Sequence, residues 1–469
     1  MKIRRRYTVT RRKWLSLAVF GSAVLLQASC GGNEDEERES QAEPSPRPGN
    51  VVETTKEPRQ LKLAYLEHPT ISNPPKPSIL AREVKKGWNS GDIPGMSEGT
   101  TLDLVEIPHK TDEQHRILGA PSVVEFLNAS AAGGVPLADV VWIPPYAQVI
   151  ELLRSGLFAP LDRWLQTDSR NPLDAFSREA RRLVRFEGQT RALPLAIAPG
   201  VVGYDAGRFE RANVAAPASN WTWQDFIKAA KGLTVDANDD GNPEQWGFSA
   251  TWDFPDWLPF LLQEGGEIVD LDTGRIGMDG PASVSALTAW DELGRVHGIH
   301  PYGPDITDIE LLGFEDTLKS GMHFSQFQKR PWHNWPDLAP IPQESQNSTP
   351  LSVEEVLAVP AEAADESGYD ALVPLAHWLG ERRVLPAVTT GWQFIEQADT
   401  DHFDLILPEA MQEVALDGLA RGKASYAASS PMIPYHLFYQ VTLPLARGEV
   451  VVEQAIDQAV NWLRGYLAE

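Results

Sequence analysis

Short stretches of alternating or uniformly apolar residues punctuate the chain from residue 61 onward. Leu61, Leu63 and Tyr65 alternate with Lys62 and Ala64, and the runs 102–107 and 139–143 are rich in β-branched and apolar residues. Such patterns over five to seven residues predict strands. Helical spacing appears between them. Thr222-Trp223-Gln224-Asp225 has the form of a capping box; Trp223, Phe226, Ile227 and Ala230 follow on one helical face, with Gly232 at the exit. Near the C-terminus Val452, Ile456, Ala459, Leu463 and Leu467 form a second apolar stripe. Strands alternating with helices predict an α/β fold with a largely parallel sheet. Roughly 400 residues, at about 150 per domain, predict more than one compact unit.

The N-terminal pattern differs. Lys2, Arg4, Arg5, Arg6, Arg11, Arg12 and Lys13 precede a mostly apolar run over 14–26. That run has the length of a signal-peptide core and is too short to span a bilayer, so 1–29 read as an export signal. Thr10-Arg11-Arg12-Lys13-Trp14-Leu15 is similar to the twin-arginine export motif, with Trp at the usual Phe position; this route and the general one both stay open. Leu25-Leu26-Gln27-Ala28-Ser29-Cys30-Gly31 resembles a bacterial lipoprotein cleavage site, departing from it at Gln27. The resemblance implies acylation of Cys30 and attachment to the outer face of a membrane. Residues 30–60 then form a tether, being rich in Glu, Ser, Pro and Arg and too poor in large apolar residues to bury a core.

Charge narrows the function classes. The chain has 41 Lys+Arg against 65 Asp+Glu; the first 29 residues hold seven of the basic ones and no acidic one, leaving 34 against 65, a formal −31, from Cys30 onward. A field of that sign repels phosphate backbones and anionic lipid heads, so neither nucleic acid nor a membrane surface is an electrostatic partner. With a single Cys there is no intrachain disulfide. The chain also lacks a His-Glu-x-x-His pair and a Gly-Lys-Ser/Thr phosphate loop.

Several segments resemble a known family. Ala138-Asp139-Val140-Val141-Trp142-Ile143 and then Ser155-Gly156-Leu157-Phe158-Ala159-Pro160-Leu161-Asp162 are similar to a stretch of bacterial extracellular solute-binding proteins, the carbohydrate-binding group related to maltose-binding protein in particular. The likeness continues in the family's order through Ala192-Leu193-Pro194-Leu195, Gly203-Tyr204-Asp205, Asn220-Trp221-Thr222-Trp223, Gln245-Trp246-Gly247-Phe248, Gln263-Glu264-Gly265-Gly266, Lys319-Ser320-Gly321-Met322 and Ala358-Val359-Pro360. It implies an α/β fold of two lobes, the type II periplasmic-binding-protein fold, closing on ligand about hinge crossings near 193–200, 321 and 360. The N-terminal lobe would comprise 61–194 plus 321–360 and the C-terminal lobe 195–320 plus 361–469. The implied role is a monomeric substrate-binding protein of an ABC importer, without catalysis, delivering a sugar or oligosaccharide to a membrane permease.

Sugars present apolar C–H faces and a rim of hydroxyls, so their sites need aromatic platforms and planar polar side chains. The candidate platforms are Trp142 and Tyr146 at the end of a strand, Tyr204, Trp252, Trp257, Trp332 and Tyr435; the candidate polar partners are Glu67, His68, Asp253, Gln326 and Glu354. Glu354 and Glu355 stand where the family often has Gly-Gly, which implies a changed pocket wall. Asp236, Asn238, Asp240, Asn242 and Glu244 reproduce part of the oxygen spacing of a calcium loop, but Gly247 replaces its bidentate Glu, and a plain acidic turn fits the same residues. Two other classes share these features: a secreted carbohydrate-active enzyme, whose Trp-lined cleft would use paired carboxyls, and a surface lipoprotein that senses a ligand without transport.

Overall fold

The computed structural model describes residues 59–67, 77–96, 98–112, 118–144, 147–166, 176–239, 243–312, 320–327, 337–344, 347–364, 366–381 and 409–468, with the single residues 171, 173 and 241. Eleven strands are described. They are β1 (Arg59–Tyr65), β2 (Thr100–Glu106), β3 (Val140–Ile143), β4 (Arg185–Phe186), β5 (Gln189–Thr190) and β6 (Leu193–Tyr204). After these come β7 (Trp246–Ser249), β8 (Ser320–Gln326), β9 (Asp337–Pro340), β10 (Thr349–Ala358) and β11 (Gly422–Ala424). Nine of them make one sheet in the order β2-β1-β3-β10-β6-β8-β7, with β11 beside β10 and β9 beside β6; β4 and β5 pair separately.

Pairing direction divides this sheet in two. β1 runs parallel to β2 and β3, and β7 runs parallel to β8, as the strand and helix alternation requires. Of these strands β6 has partners in both halves, and β10, antiparallel to it, joins its first part to β3. The first part of β6 pairs with β10 and its last five residues pair with β8 and β9. Register slips around Glu355 on β10, where it faces Ala196 of β6. Every residue of β10 is buried, so this pairing is core rather than an exposed linker.

Helices cover the sheet for identifiable reasons. The helix Trp223–Leu233 opens on the capping box read from sequence, Thr222 Oγ1 accepting from Asp225 N while the Asp225 carboxylate accepts from Thr222 N. It buries Trp223, Phe226, Ala229, Ala230 and Leu233 against β7 and β8. Contact there is close: a Cβ on Gly247 would lie 2.0 Å from Ala230 O, so only glycine fits. The C-terminal stripe becomes the helix Val452–Tyr466, packed on the helix Pro281–Arg295.

Strand pairing redistributes two segments that motif order alone places differently. The segment expected with the N-terminal lobe from 321 begins in β8, which pairs with β6 and β7 in the second half. The helix Glu366–Glu381, expected with the C-terminal lobe, packs on β1, β3 and β6. Motif order fixes sequence but not hydrogen-bond partners, so the segment from 321 joins the half built by β7 and β8. Cys30 and the tether lie outside the described residues. Among the described residues no helix is long and apolar enough to cross a membrane.

Candidate functional site

In open α/β sheets ligands sit beyond the carboxyl ends of parallel strands. Here those ends face each other across β6 and β10: Tyr65 and Ile143 from one half, Ser249 and Gln326 from the other. On the first side Tyr65, Trp142 and Leu357 lie abreast. Beyond this row lie Glu67, two residues past the end of β1, and Glu354 and Glu355 on β10. Glu67, Glu354 and Glu355 are 8%, 4% and 2% exposed, so this side is acidic and largely closed to solvent. Ser352 Oγ donates to Glu354 Oε1 at 2.7 Å.

On the second side four residues converge. Asp253 Oδ2 accepts from Ser325 Oγ at 2.7 Å and from Gln326 N at 3.1 Å, which fixes the 251–256 loop against the end of β8. The side chain of Gln326 donates through Nε2 to Ala428 O at 2.5 Å. The short helix Tyr426–Ser429 thereby joins the site, and Ser429 Oγ accepts from Val353 N at the middle of β10. On the following helix, Met432–Leu437, Tyr435 is 42% exposed and packs edge-on against Trp252 with centroids 5.8 Å apart. Trp252, Asp253, Gln326 and Tyr435 thus lie together through direct contacts and chain adjacency, with the short helix Tyr426–Ser429 joining Gln326 to β10. An aromatic pair with an open face beside planar polar groups is what a sugar ring requires.

Other candidates fall elsewhere. Trp257 is fully buried, one of the largest enclosed side chains, so its ring is core packing and offers no platform. Trp142 is 2% exposed and its ring is likewise enclosed. Tyr204 ends β6 on the side away from the crossing, opposite Met322 and Asp337, and packs edge-on against Phe209. It stands four residues, about 13 Å, beyond Gly200, the partner of Gln326. A Tyr after a strand looks the same in sequence whichever end of the sheet it reaches. His68, Tyr146 and Trp332 lie outside the described residues.

The acidic loop serves its own backbone. Asp236 Oδ2 accepts from Gly241 N at 2.9 Å and Glu244 Oε2 from Ala237 N at 2.7 Å, while Asn238 lies in the bend between them. Asp240 and Asn242 lie outside the described residues. Among the described residues no three His, Cys, Asp or Glu side chains group as a metal site.

Two buried carboxyls escaped the sequence reading. Asp256 is 1% exposed; Oδ1 accepts from Thr251 N and Oδ2 has no partner, and burial, with Asp253 adding to it, pushes its carboxyl well above the usual range. The signal was an Asp between Pro255 and Trp257 in an apolar run. Glu151, on the helix Val149–Arg154, receives hydroxyl donors from Ser430 and, at 2.6 Å, from Tyr466. Burial raises its carboxyl as well, and burial together with Glu151 raises the Tyr426 and Tyr466 phenols. This cluster ties the helix after β3 to the C-terminal helix.

Residues 116–312 match the family model described as bacterial extracellular solute-binding protein. Solved structures of the same architecture include cyclic alpha-maltosyl-1,6-maltose binding protein from Arthrobacter globiformis, at 15% identity and TM-score 0.60 over 87% of this chain and 98% of that one. An ABC substrate-binding protein from Listeria monocytogenes in complex with cycloalternan gives 15% and 0.56 over 87% and 99%. The maltose/maltodextrin-binding domain MalE from Bdellovibrio bacteriovorus, bound to maltotriose, gives 17% and 0.53 over 87% and 100%. No curated protein sequence matches the chain. The fold is therefore that of the type II solute-binding proteins, and residues 116–312 carry the sequence pattern of the bacterial extracellular group.

Proposed function

We propose that this protein is the substrate-binding component of an ABC importer, taking a sugar or oligosaccharide between the two halves of its sheet. The observation that carries the reading is the convergence of Trp252, Tyr435, Asp253 and Gln326 at the carboxyl end of β8, with the buried Glu354 on the adjoining β10. Ligand stacks on the Trp252–Tyr435 pair, its hydroxyls meet the carboxylates and amide, and bending of β6 closes the halves over it. Closure is a population shift, limited by the ligand's preference for the closed state. The closed form then docks on a permease.

The N-terminal sequence supports export, acylation at Cys30 and a flexible tether, which together hold the protein at the outer face of the membrane as a monomer. Catalysis is no part of the reading, since capture and release require only reversible contacts. Calcium in the 236–244 loop would be structural and separate from the ligand.

The test is a thermal-shift and calorimetric screen of the purified protein against mono- and oligosaccharides, with reducing ends assayed in parallel. Saturable binding without new reducing ends supports the reading; product formation selects the enzyme class instead. Incubation of cells with labelled palmitate, comparing the protein with its Cys30→Ser variant, tests the anchor: label on the first alone is the expected result.

A further inference from the structure

We infer that the subsite formed by Asp253, Asp256 and Gln326 at the carboxyl end of β8 takes a positively charged nitrogen, so that the cargo is an amine-bearing carbohydrate rather than a neutral one. The inference rests on the sugar-binding reading and narrows its substrate class.

Two buried acceptor atoms carry it. Gln326 is fully buried and its amide orientation is fixed, because only the nitrogen can face the Ala428 carbonyl. Oε1 is left on the other side of the amide with no hydrogen-bond partner. Asp256, 1% exposed, has a second such oxygen in Oδ2. Buried polar atoms without partners are rare in folded proteins, and each points to a group missing from its surroundings. Both residues adjoin Asp253: Gln326 through its backbone N–H at 3.1 Å, Asp256 through the loop in which Thr251 N donates to Asp256 Oδ1 and Asp253 N to Thr251 Oγ1.

The missing group must therefore be a donor. Gln326 Oε1 can only accept; a hydroxyl offers one hydrogen, whereas a primary ammonium offers three, enough for Oε1 and the two carboxyl side chains beside it. Asp253 raises the Asp256 carboxyl further above the range that burial alone sets, a repulsion that a cation between them relieves. Two carboxyls and one amide make too small a set for a metal, and among the described residues no metal-ligating group of three exists. Glu67, Glu354 and Glu355, across the crossing, extend the same sign of charge.

Three trisaccharides with one β-1,4 backbone test this: cellotriose, N-acetylchitotriose and fully deacetylated chitotriose, titrated calorimetrically into the full-length protein, with maltotriose and mannitol as neutral controls. The expected result is at least tenfold tighter binding of the deacetylated form than of the other two, an advantage that shrinks in 0.5 M NaCl and is lost in Asp253→Asn. Asn retains the acceptor for Ser325 and Gln326, and the salt series reads the same charge in the unaltered protein. Equal or tighter binding of cellotriose or N-acetylchitotriose overturns the inference and leaves the sugar reading intact. Absence of binding by all three, in protein that melts cooperatively, also overturns it. Maltotriose and mannitol then decide whether the cleft binds neutral carbohydrate or the broader reading fails too.

Discussion

Aromatic side chains separate by exposure, and that separation makes the residue-scale predictions sharp. Trp252→Ala and Tyr435→Ala each remove one ring of the exposed pair and should weaken ligand binding by about 1–2 kcal/mol, roughly tenfold, by calorimetry. Tyr204→Ala, on the far end of β6, should leave affinity within about twofold. Both Tyr204 and Tyr435 looked alike in sequence, since each sits next to a recognisable motif. Asp256 gives a pH prediction. Its carboxyl is raised in the folded protein, so its contribution is fully favourable below the unfolded pKa and is lost as pH rises toward the folded one. Replacing it with Asn should therefore raise stability near pH 7 relative to the unaltered protein and change it little near pH 3. Denaturant melts at several pH values check this; a gain largest in acid would contradict it.

Among the elements, what was legible in sequence is what short-range physics determines. The capping box at Thr222 and Asp225 formed as read, and Thr222→Ala should cost about 1 kcal/mol in denaturant unfolding. The Gly247 position within Gln245-Trp246-Gly247-Phe248 has a steric explanation in the helix that crosses it, and Gly247→Ala should destabilise by about 2–3 kcal/mol, with several degrees lost in Tm. Strands β1, β2 and β3 followed their apolar patterns, because alternation and burial share a period. Which strand passes through both halves was not legible. β6 and β8 are both almost wholly buried, and only their partners, set by contacts more than a hundred residues away, distinguish a strand within one half from one that crosses. The site was partly legible for the same reason. Asp253, Gln326 and Tyr435 carried local signals, but their meeting depends on the Tyr426–Ser429 helix, which no motif marked.

For the whole molecule, the proposed closure turns on β6, which pairs with β10 in one half and with β8 and β9 in the other. The Glu151, Ser430 and Tyr466 cluster links the helix after β3 to the C-terminal helix. Ligand that bridges the halves should reduce the radius of gyration in small-angle scattering, and Trp252→Ala should require more ligand for the same change. The central claim is reversible capture of carbohydrate beside the crossing, and titration calorimetry of the purified protein against a panel of oligosaccharides tests it most directly. The account predicts one-site, micromolar or tighter binding, weakened roughly tenfold in Trp252→Ala or Tyr435→Ala, with no reducing ends released. Cooperatively folded protein that binds no sugar in the panel, or that cleaves one, would contradict it.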